Sequence, residues 1–366
     1  LIIQSLDLVN FRNIKEATLA FSETFNVIRG KNAQGKTNLL EAIHLFSLGR
    51  SFRTRRREEM VRFGEEFFFA RLGCRSDAGV SFRIEIGLER GGRISVSVNG
   101  KKLSTLSEII GIMPTVIFTP EDVALATGPP SERRTFVDYT ASQISPSFLQ
   151  SLKEYRKVLV QRNAALKRAQ ESGRSPEGIE AWDEMLTESG AAIVEGRKEM
   201  LAEIESRSFG LIEEIMSGTG KLAMQYACSF DSGGEGTRGA LRKALARTRE
   251  QEKRRGYTLV GPHYDDIRIF LDDMELRRYG SQGRKRLASI VMKLAQAWAI
   301  MERRAERPIV LLDDIFSELD EDTARSVNGL MSDRYQSFIT TPRTEDLIEA
   351  EAARFYVEGG AVTAGA

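Results

Sequence analysis

Eight consecutive residues near the start of the chain have the types and spacing that hold a phosphate. They follow a short apolar run at 25–28 and match the pattern G-x-x-x-x-G-K-[ST] at every specified position. Glycines let backbone N–H groups close around phosphate oxygens, Lys36 can reach the β- and γ-phosphates, and the Thr37 hydroxyl can ligate Mg²⁺. The segment therefore predicts an ATP site that uses Mg²⁺. Its members are Gly30, Lys31, Asn32, Ala33, Gln34, Gly35, Lys36 and Thr37.

A second chemical segment lies far downstream, where the apolar run 309–312 ends in Asp313 and Asp314. Carboxylates at the end of a buried strand hold Mg²⁺ and activate water in nucleotide hydrolases. We therefore expect Asp313 to bind the metal together with Thr37, and Asp314 to orient or deprotonate the attacking water. A strand that simply ends at a polar loop is the alternative, but the upstream phosphate segment favours phosphoryl transfer because the two motifs act together.

The elements that must position these residues are predicted from their periodicity. Residues 1–28 read as two short strands around a turn at Asn13, 38–48 as a helix, and 67–98 as an antiparallel meander. Beyond Pro120 the pattern becomes helical. Amphipathic helices are expected at 148–170 and from 179 onward, with a break at 172–178, and a polar, basic helix is expected at about 238–254. Strand patterns return near 267–270 and 309–312, and 338–341 is expected to be the last strand.

This order predicts an α/β fold in which a helical lobe interrupts an ATPase lobe. The ATPase lobe would combine residues 1–120 and 255–366, with a mixed sheet and the antiparallel meander. The inserted α-helical lobe would occupy 121–254 and contain a short helical hairpin.

The bulk composition favours a cytoplasmic globular protein. Two cysteines, Cys74 and Cys228, form no CxxC pair, and only two histidines accompany them, so we expect reduced thiols and no zinc site. The apolar runs are too short or interrupted to cross a membrane, and the start of the chain lacks the layout of a secretion signal.

Net charge does not by itself indicate a nucleic-acid partner. The chain has 53 basic and 52 acidic residues, a net charge of +1, so any DNA contact depends on local basic clusters. Each cluster also suits an ordinary solvated surface. The candidates are Arg53 with 55–57, the run 253–255, and Arg133 with Arg134.

Residues 279–286 read Tyr-Gly-Ser-Gln-Gly-Arg-Lys-Arg and open a predicted helix. They resemble the signature motif of ABC ATPases, in which a serine and a glycine at a helix start contact the γ-phosphate held by the opposite subunit. Free N–H groups at a helix start would make Ser281 and Gly283 a second anion site. Ser281 also suits a plain helix cap, and both readings can hold together. The loop 317–320 resembles the segment that lies against the partner subunit in this class.

Several further segments together resemble the RecF family over nearly the whole chain. They are Asn-Phe-Arg-Asn at 10–13, Gly-Arg-Ser-Phe-Arg-Thr at 49–54, Phe-Thr-Pro-Glu-Asp at 118–122, Gly-Pro-His-Tyr-Asp-Asp at 261–266, and Leu-Leu-Asp-Asp-Ile-Phe-Ser-Glu-Leu-Asp at 311–320. The combination is more specific than any single motif.

This resemblance implies a weak DNA-dependent ATPase of recombinational repair and replication restart. It implies an ATP-dependent homodimer that binds gaps and single-/double-strand junctions in DNA without sequence preference. It also implies cooperation with RecR and RecO in loading RecA. Lys36, Ser281 and Asp314 would act in catalysis, and Arg12 would approach the nucleotide. Since Lys36 and Ser281 would then serve phosphates held by different copies, two chains would enclose two ATP molecules.

Some positions depart from the family pattern. Arg284 and Lys285 stand where glutamines are usual, and Tyr264 stands where a basic residue usually follows Gly-Pro-His. Thr340 and Thr341 leave the γ-phosphate switch of ABC proteins unassigned.

Asp314 stands where transporter-type ABC proteins have glutamate, as in RecF proteins generally, and the shorter carboxylate predicts slow hydrolysis. An SMC-like ATP-gated scaffold and the nucleotide-binding subunit of an ABC transporter are the alternative functions. The inserted helical hairpin and the missing glutamate argue against the transporter. A P-loop kinase is least favoured because no acceptor site or lid is visible.

Overall fold

The β-strands of the computed structural model form three sheets. The structure describes residues 1–173, 176, 178–216, 220–231, 236–332, 334–342 and 352–365. Within them the strands are β1 Ile2–Phe11, β2 Ile14–Ala20, β3 Phe25–Arg29, β4 Phe67–Arg75, β5 Ser81–Glu89, β6 Ile94–Val98, β7 Lys101–Lys102, β8 Thr115–Phe118, β9 Leu222–Ala227, β10 Asp266–Leu271, β11 Met274–Glu275, β12 Ile309–Asp313, β13 Ser337–Thr341, β14 Ala352–Glu358 and β15 Ala361–Ala364.

The α-helices carry most of the remaining described chain. They are α1 Lys36–Leu48, α2 Ala124–Thr127, α3 Pro130–Ile144, α4 Pro146–Ser172, α5 Ile179–Met216, α6 Gly236–Arg255, α7 Leu276–Tyr279, α8 Gln282–Arg304 and α9 Glu321–Ser332. Short 3-10 turns occur at Arg57–Met60, Leu106–Ile109, Pro120–Val123 and Ile315–Glu318.

The sheet that carries the chemistry is mostly parallel, in the order β15-β14-β3-β13-β12-β8. Strands β14, β3, β13, β12 and β8 run parallel, and β15 pairs antiparallel with β14. All five residues of β12 and of β13 are buried. Fully buried strands are typical of parallel sheets covered on both faces. The parallel direction places the carboxyl ends of β3, β12 and β13 at one edge.

An antiparallel sheet in the order β2-β1-β4-β5-β6-β7 confirms the predicted meander. Side chains along β4 and β5 alternate between buried and exposed or partly exposed, as expected for a sheet with one face in the core. Its inner residues, including Phe68, Leu72 and Ile86, join one hydrophobic cluster with Leu39 and Ile43 of α1. This packing fixes α1 from one side and continues the predicted α/β architecture.

The chain divides into two compact units. Unit 1 contains Leu1–Asp122, Gly210–Thr219 and Ile290–Ala366, and unit 2 contains Val123–Phe209 and Gly220–Ser289. The predicted division placed 255–289 with the ATPase lobe, whereas these residues belong to unit 2. The physical reason is β10, which pairs with β9 from Asp266↔Ala227 to Leu271↔Leu222 and thereby joins the helical residues.

Unit 2 is organised around charged side chains inside its helical core. Arg162 of α4 is fully buried, and its guanidinium contacts Asp183 at 2.8 Å, Glu252 at 2.7 Å and the Thr258 hydroxyl at 2.8 Å. Buried ion pairs are costly to form but fix one arrangement of the elements that carry them. Arg162 therefore ties α4, α5 and α6 together.

The prediction that 338–341 is the last strand was wrong, because β14 and β15 follow it. In β14 only Phe355 and Val357 are buried, while Arg354, Tyr356 and Glu358 interrupt the apolar pattern. A strand with two core residues gives a weak periodic signal. The predicted helices at 148–170, from 179 and at 238–254 are confirmed as α4, α5 and α6. Of the predicted break at 172–178, residues 174, 175 and 177 lie outside the described residues.

Replacing Arg162 with methionine tests this core. The change keeps the aliphatic bulk but leaves Glu252, fully buried, without its cation, so we expect a loss of about 3–5 kcal/mol in the free energy of unfolding of unit 2. The midpoint of urea unfolding measures it. The matched control is Arg75→Met, which removes the exposed Arg75–Glu23 pair and should change little. Equal midpoints for both variants would contradict a structural role for the buried network.

Candidate nucleotide-binding site

The parallel sheet brings the two chemical segments of the sequence to one edge. In the register of β13, Thr340 lies opposite Ile28 of β3 on one side and Asp313 of β12 on the other. The loop that leaves β3 carries the glycine-rich segment into α1, and the chain leaving β12 carries Asp314. Since β13 separates β3 from β12, Thr340 lies between the two motifs.

The glycine-rich segment forms a tight loop around the end of a lysine side chain. The Lys36 ammonium donates to the carbonyls of Gly30 at 2.8 Å and Lys31 at 3.1 Å. Gly35 has φ +117°, and a Cβ there would lie 2.6 Å from the Asn13 side chain, so only glycine fits. Backbone N–H groups of the loop and of the first turn of α1 are thereby concentrated at one place, as a phosphate requires.

The hydroxyl and the carboxylate predicted to share a metal are in direct contact. Thr37 Oγ1 donates to Asp313 Oδ1 at 2.8 Å, and Thr340 Oγ1 lies 2.8 Å from the same oxygen. Asp313 is buried, and its hydrogen bonds with these two hydroxyls fix the position of its carboxylate. The unassigned Thr340 thus belongs to the site through its contact with Asp313.

Asp314 follows in a strained backbone conformation. Its φ is +53°, in the left-handed region that non-glycine residues rarely adopt, and its N–H donates to Thr340 Oγ1 at 2.9 Å. The Oδ1 atom of Asp314 is buried and has no hydrogen-bond partner within the described ranges. A buried, unsatisfied carboxylate oxygen beside a phosphate loop is suited to hold a water molecule or a cation that the protein alone does not supply.

Burial and neighbouring charges shift the pKa values of the charged residues in the site. Burial raises the pKa of Asp313, and the neighbouring charge of Asp314 raises it further, while the hydrogen bonds from Thr340 and Thr37 lower it. Burial also lowers the pKa of Lys36, against the opposing influence of Asp314 and Asp313. Two carboxylates and one partly buried ammonium therefore share a poorly solvated space, an arrangement that a divalent cation and a phosphate chain would relieve.

The residues present fit ATP and Mg²⁺. The loop would close on the phosphates, the Thr37 hydroxyl and the Asp313 carboxylate are the oxygen ligands that Mg²⁺ prefers, and Asp314 has an unsatisfied oxygen. The described residues contain no cluster of three or more acidic, histidine or cysteine side chains that could hold a metal without a phosphate ligand.

A polar network behind the loop was not found from the sequence. Asn13 donates to the Gln34 carbonyl at 2.8 Å and accepts from Asn38 at 2.7 Å, and Arg53 donates to Asn38 at 2.5 Å. Arg53, one of the candidates for a DNA contact, therefore takes part in the polar network behind the phosphate loop. The sequence did not indicate this role, because Arg53 is followed closely by three further arginines and looks like part of a basic cluster.

Arg12 braces the same region through a buried carboxylate. Its guanidinium makes two contacts with Glu41, at 2.6 and 2.9 Å, and donates to the Glu59 carbonyl at 2.7 Å. Glu41, fully buried in α1, also accepts from the Ser51 hydroxyl. The structure thus gives Arg12 a bracing role, and its expected approach to the nucleotide stays a prediction. Glu41 could be suspected from the sequence only as a charged residue on the apolar face of α1.

The turn between β14 and β15 supports the loop from its other side. The N–H groups of Gly359 and Gly360 donate to the side chain and carbonyl of Gln34 at 2.6 and 3.1 Å. A Cβ on Gly30 would lie 2.4 Å from the Val357 carbonyl oxygen, so β14 packs directly against the loop. The strand that the sequence analysis missed is therefore part of the phosphate site.

The signature-like segment belongs to unit 2 and is described by itself. Helix α8 begins at Gln282, and Ser281 caps it, with Arg284 N donating to Ser281 Oγ at 3.4 Å. Residues 281–284 are all exposed, and a Cβ on Gly283 would meet nothing within 4 Å. The first turn of α8 is thus an open helix start, and the catalytic and binding roles expected of Ser281 and Gly283 stay predictions.

The loop after Asp314 is held by short-range bonds. Ser317 Oγ donates to the Asp314 carbonyl at 2.7 Å, and Asp320 caps α9 by accepting from Thr323 N at 2.9 Å. The side chain of Glu318 lies outside the described residues. The expected contact of this loop with a partner subunit stays a prediction.

The basic clusters differ in how available they are. Arg133 is buried in an ion pair with Asp266 at 2.9 Å, and Arg134 donates to the Asp265 carbonyl at 2.6 Å, so the cluster 133–134 is structural and not a DNA surface. Residues 55–57 and 254–255 are exposed.

These features together define an ABC-type P-loop ATPase. Its nucleotide edge is formed by β3, β12 and β13, an antiparallel meander packs beside it, and a helical unit is inserted in the chain. A model of the RecF/RecN/SMC N terminal domain family matches residues 2–359. The chain belongs to the RecF family, as its relatives also indicate.

The chain is similar to curated relatives and to solved structures over nearly its full length. The DNA replication and repair protein RecF of Symbiobacterium thermophilum is 39% identical over 357 residues, 95% of this chain and 93% of that protein. RecF of Caldanaerobacter subterraneus is 36% identical over 340 residues, 92% and 93% respectively. A structure described as the recombination mediator protein RecF-ATP in the RecFOR pathway matches with a TM-score of 0.91 and 36% identity, covering 100% of this chain and 97% of that one. The Smc head domain of Pyrococcus furiosus shares the fold alone, with a TM-score of 0.59 and 18% identity over 99% of this chain and 95% of that one.

No helix in the part of the chain that the structure describes combines the length and the apolar character that a membrane crossing needs.

Replacing Asp313 with asparagine tests the electrostatic cost of the site. In the folded protein the pKa of Asp313 is raised above the ordinary 3.8, so its ionisation costs stability as pH rises from that value through the raised pKa. Without nucleotide, we therefore expect the melting temperature of Asp313→Asn to exceed that of the parent chain, with a difference that grows from pH 4 to pH 7.

The same variant should lose the stabilisation that Mg²⁺ and ATP together give the parent chain. Thermal melts with and without Mg²⁺-ATP across this pH range measure both effects. A difference that shrinks as pH rises would show that Asp313 is not held at an electrostatic cost.

Proposed function

We propose that this chain is an ATP-dependent DNA-binding protein of recombinational repair and replication restart. It would act as a dimeric clamp that closes on DNA gaps with ATP and opens on slow hydrolysis. The observation that carries the proposal is the direct contact of Thr37 with Asp313 beside the unsatisfied oxygen of Asp314. In this reading unit 1 is the ATPase lobe and unit 2 the inserted lobe.

Residues 30–37 would hold the phosphate chain of ATP. The Lys36 ammonium donates to two loop carbonyls, so it is folded over the loop and would exchange these carbonyls for phosphate oxygens. Burial favours this exchange, since it lowers the pKa of Lys36 and makes its charge costly until an anion arrives.

Thr37 and Asp313 would hold Mg²⁺, which when bound neutralises charge on the β- and γ-phosphates. Asp313 would act directly or through a water molecule. The Thr340 hydroxyl donates to the Asp313 carboxylate and holds it in place. The protein thus prepares the ligand geometry before the metal binds, which reduces the reorganisation that binding requires.

Asp314 would orient the attacking water and accept its proton. Its backbone is fixed in the left-handed region by the bond to Thr340, which aims the carboxylate without help from the substrate. An aspartate reaches one methylene less far than the glutamate of transporter-type ABC proteins, so the water is placed less favourably and hydrolysis is slow. A general base contributes on the order of 10²–10⁴ in rate.

The exposed start of α8 would complete the site on a second copy. Ser281 and the free N–H groups of the first turn form an anion site that needs a γ-phosphate, and two-fold symmetry would let each copy serve the other. ATP then becomes part of the interface, and loss of the γ-phosphate removes the contact that stabilises the closed state.

The DNA role is supported by the relatives, named as DNA replication and repair proteins, and by a neighbour named as a recombination mediator of the RecFOR pathway. For this chain we infer weak, DNA-stimulated ATP hydrolysis in the cytoplasm and cooperation with RecR and RecO in loading RecA. Binding to phosphates makes the affinity sequence-independent and strongly dependent on salt. An SMC-like scaffold is less favoured, since the Smc head resembles this chain in fold alone.

Two substitutions separate nucleotide binding from dimer closure. Lys36→Ala should weaken ATP binding at least about 10-fold, because a hydrogen bond to a charged partner is worth ~1.5–3 kcal/mol. Ser281→Ala should leave ATP binding by the monomer unchanged but abolish the ATP-dependent dimer. Nucleotide titration and sedimentation velocity with Mg²⁺-ATP measure the two properties.

The Ser281 prediction has a built-in control. Ser206→Ala removes an exposed serine of α5, outside the two segments expected at the dimer interface, whose hydroxyl donates to the Glu203 carbonyl at 2.8 Å. It should leave both nucleotide binding and ATP-dependent dimerisation unchanged. Full ATP-dependent dimerisation of Ser281→Ala would remove the clamp mechanism while leaving the ATPase assignment intact.

Replacing Asp314 with asparagine should separate closure from release. The amide keeps the shape of the side chain but cannot accept the proton, so we expect hydrolysis to fall at least about 100-fold while the dimer and its DNA complex persist. Single-turnover hydrolysis and the lifetime of the complex on a gapped duplex measure this. A variant that hydrolyses ATP at the parent rate would exclude Asp314 as the base.

A further inference from the structure

One loop of unit 2 presents two aromatic rings to solvent although most of the residues between them are buried. We call residues 256–264 the tyrosine loop. Tyr257 is 41% exposed and Tyr264 is 47% exposed, while Thr258, Val260 and Pro262 are buried. The Tyr264 ring lies 4.4 Å from the His263 ring, centroid to centroid, so it is held against a neighbour and not free to rotate away.

The tyrosine loop is anchored by an unusually dense set of polar contacts. Asn163 accepts from both the N–H and the hydroxyl of Thr258, at 2.8 and 2.7 Å, and Arg162 donates to the same hydroxyl at 2.8 Å. Buried Glu252 accepts from Leu259 N at 2.8 Å. The first half of the loop is thus fixed by the charged core of the unit.

The second half is anchored in the same way. Arg197, itself paired with buried Asp138, donates to the Pro262 carbonyl at 2.6 Å. The Tyr155 hydroxyl lies 2.6 Å from His263 Nδ1, and Ser229 Oγ accepts from Gly261 N at 3.0 Å. A loop held this firmly presents its exposed rings in one geometry, which reduces the ordering that binding would require.

Three basic residues adjoin the start of the tyrosine loop. The last turn of α6 contributes Arg254 and Arg255 immediately before Gly256, and both side chains are exposed. Burial raises the pKa of the Tyr264 hydroxyl, while the charge of Arg255 lowers it. The Cα of Lys167 lies 3.5 Å from the position of a Cβ on Gly256. None of these three cations has an acidic partner among the residues that the structure describes. Exposed rings among unpaired cations are complementary to unpaired bases on a phosphate backbone.

We propose that the tyrosine loop binds unpaired nucleotides at the edge of a DNA gap, with Tyr257 and Tyr264 stacking on bases and Arg254, Arg255 and Lys167 contacting phosphates. The proposal rests on the DNA-binding function inferred above and assigns the part of the molecule that distinguishes a gap from continuous duplex. In duplex DNA the bases are stacked on one another and offer no free face to a ring, so the tyrosines act only where bases are unpaired. Tyr264 stands where the family usually has a basic residue, so this chain would add a second ring where relatives have a charge.

The test compares three DNAs of equal length at constant salt, with Mg²⁺-ATP: a gapped duplex, a continuous duplex and a single strand. Fluorescence anisotropy gives the affinities. We expect the double variant Tyr257→Ala with Tyr264→Ala to lose on the order of 10-fold or more on the gapped and single-stranded DNAs, and to bind continuous duplex as the parent chain does. The double phenylalanine variant keeps both rings and should behave as the parent chain. Phe63→Ala, which removes a 96% exposed ring in unit 1, is the control for loss of an exposed aromatic.

Two further measurements distinguish base stacking by the tyrosines from phosphate contact by the arginines. A 2-aminopurine placed in the gap should change its fluorescence with the parent and phenylalanine forms and not with the alanine form. Replacing Arg254 and Arg255 with glutamine should reduce the slope of log affinity against log salt by roughly 1.8 on duplex DNA and roughly 1.4 on the single strand.

Each outcome is decisive. Equal losses on gapped and continuous duplex, or no loss on any DNA, would overturn the stacking role; in the second case a protein partner becomes the better occupant of this surface. If the parent chain binds no DNA with ATP, the proposed function fails and the inference falls with it. If the parent chain binds DNA without loss in the alanine form, only the inference fails.

Discussion

The contact between Thr37 and Asp313 is the constraint on which the chemistry of this protein depends. These residues are 276 positions apart in the chain and 2.8 Å apart in space. They meet because β3 and β12 both run parallel to β13, so their carboxyl ends lie at the same edge of the sheet. Everything that keeps β13 between them, including its five buried residues, therefore keeps the metal ligand beside the phosphate loop.

The site is held at a cost that the surrounding structure must support. Asp313 is buried, Asp314 has a strained backbone and an unsatisfied oxygen, and Lys36 is partly desolvated. Strained or unsatisfied groups persist only where neighbours over-determine their positions. Here the neighbours are braces on several sides of the loop, from Asn13, from the Arg12–Glu41 pair and from the turn at Gly359. Their contacts explain how a loop rich in glycine can hold one defined geometry.

Much of the fold and of the nucleotide site could be predicted from the sequence. The features that were not predicted have identifiable physical reasons. The loop, the two aspartates and the meander were found because a fixed spacing or an alternation of period two encodes them locally. Glu41 was missed, and Thr340 was named without a role, because nothing local distinguishes a structural polar residue from a site residue. Strand β14 was missed because two buried residues give no periodic signal. The assignment of 255–289 differed because the pairing of β10 with β9 joins segments 39 or more residues apart, and a strand pattern does not name its partner.

In unit 2, as in the nucleotide site, buried polar groups that are costly to hold fix the geometry of a loop, although the groups are arginine ion pairs. Its buried arginines, Arg162 and Arg197, contribute little net stability as ion pairs, because desolvation offsets most of their attraction. What such pairs supply is a single arrangement of the groups attached to them, and both arginines donate to the tyrosine loop. A core that needed only stability would be better served by apolar side chains. Charged residues at these positions are understandable if the loop they hold must present its surface in one defined geometry, which is a requirement of recognition and not of folding.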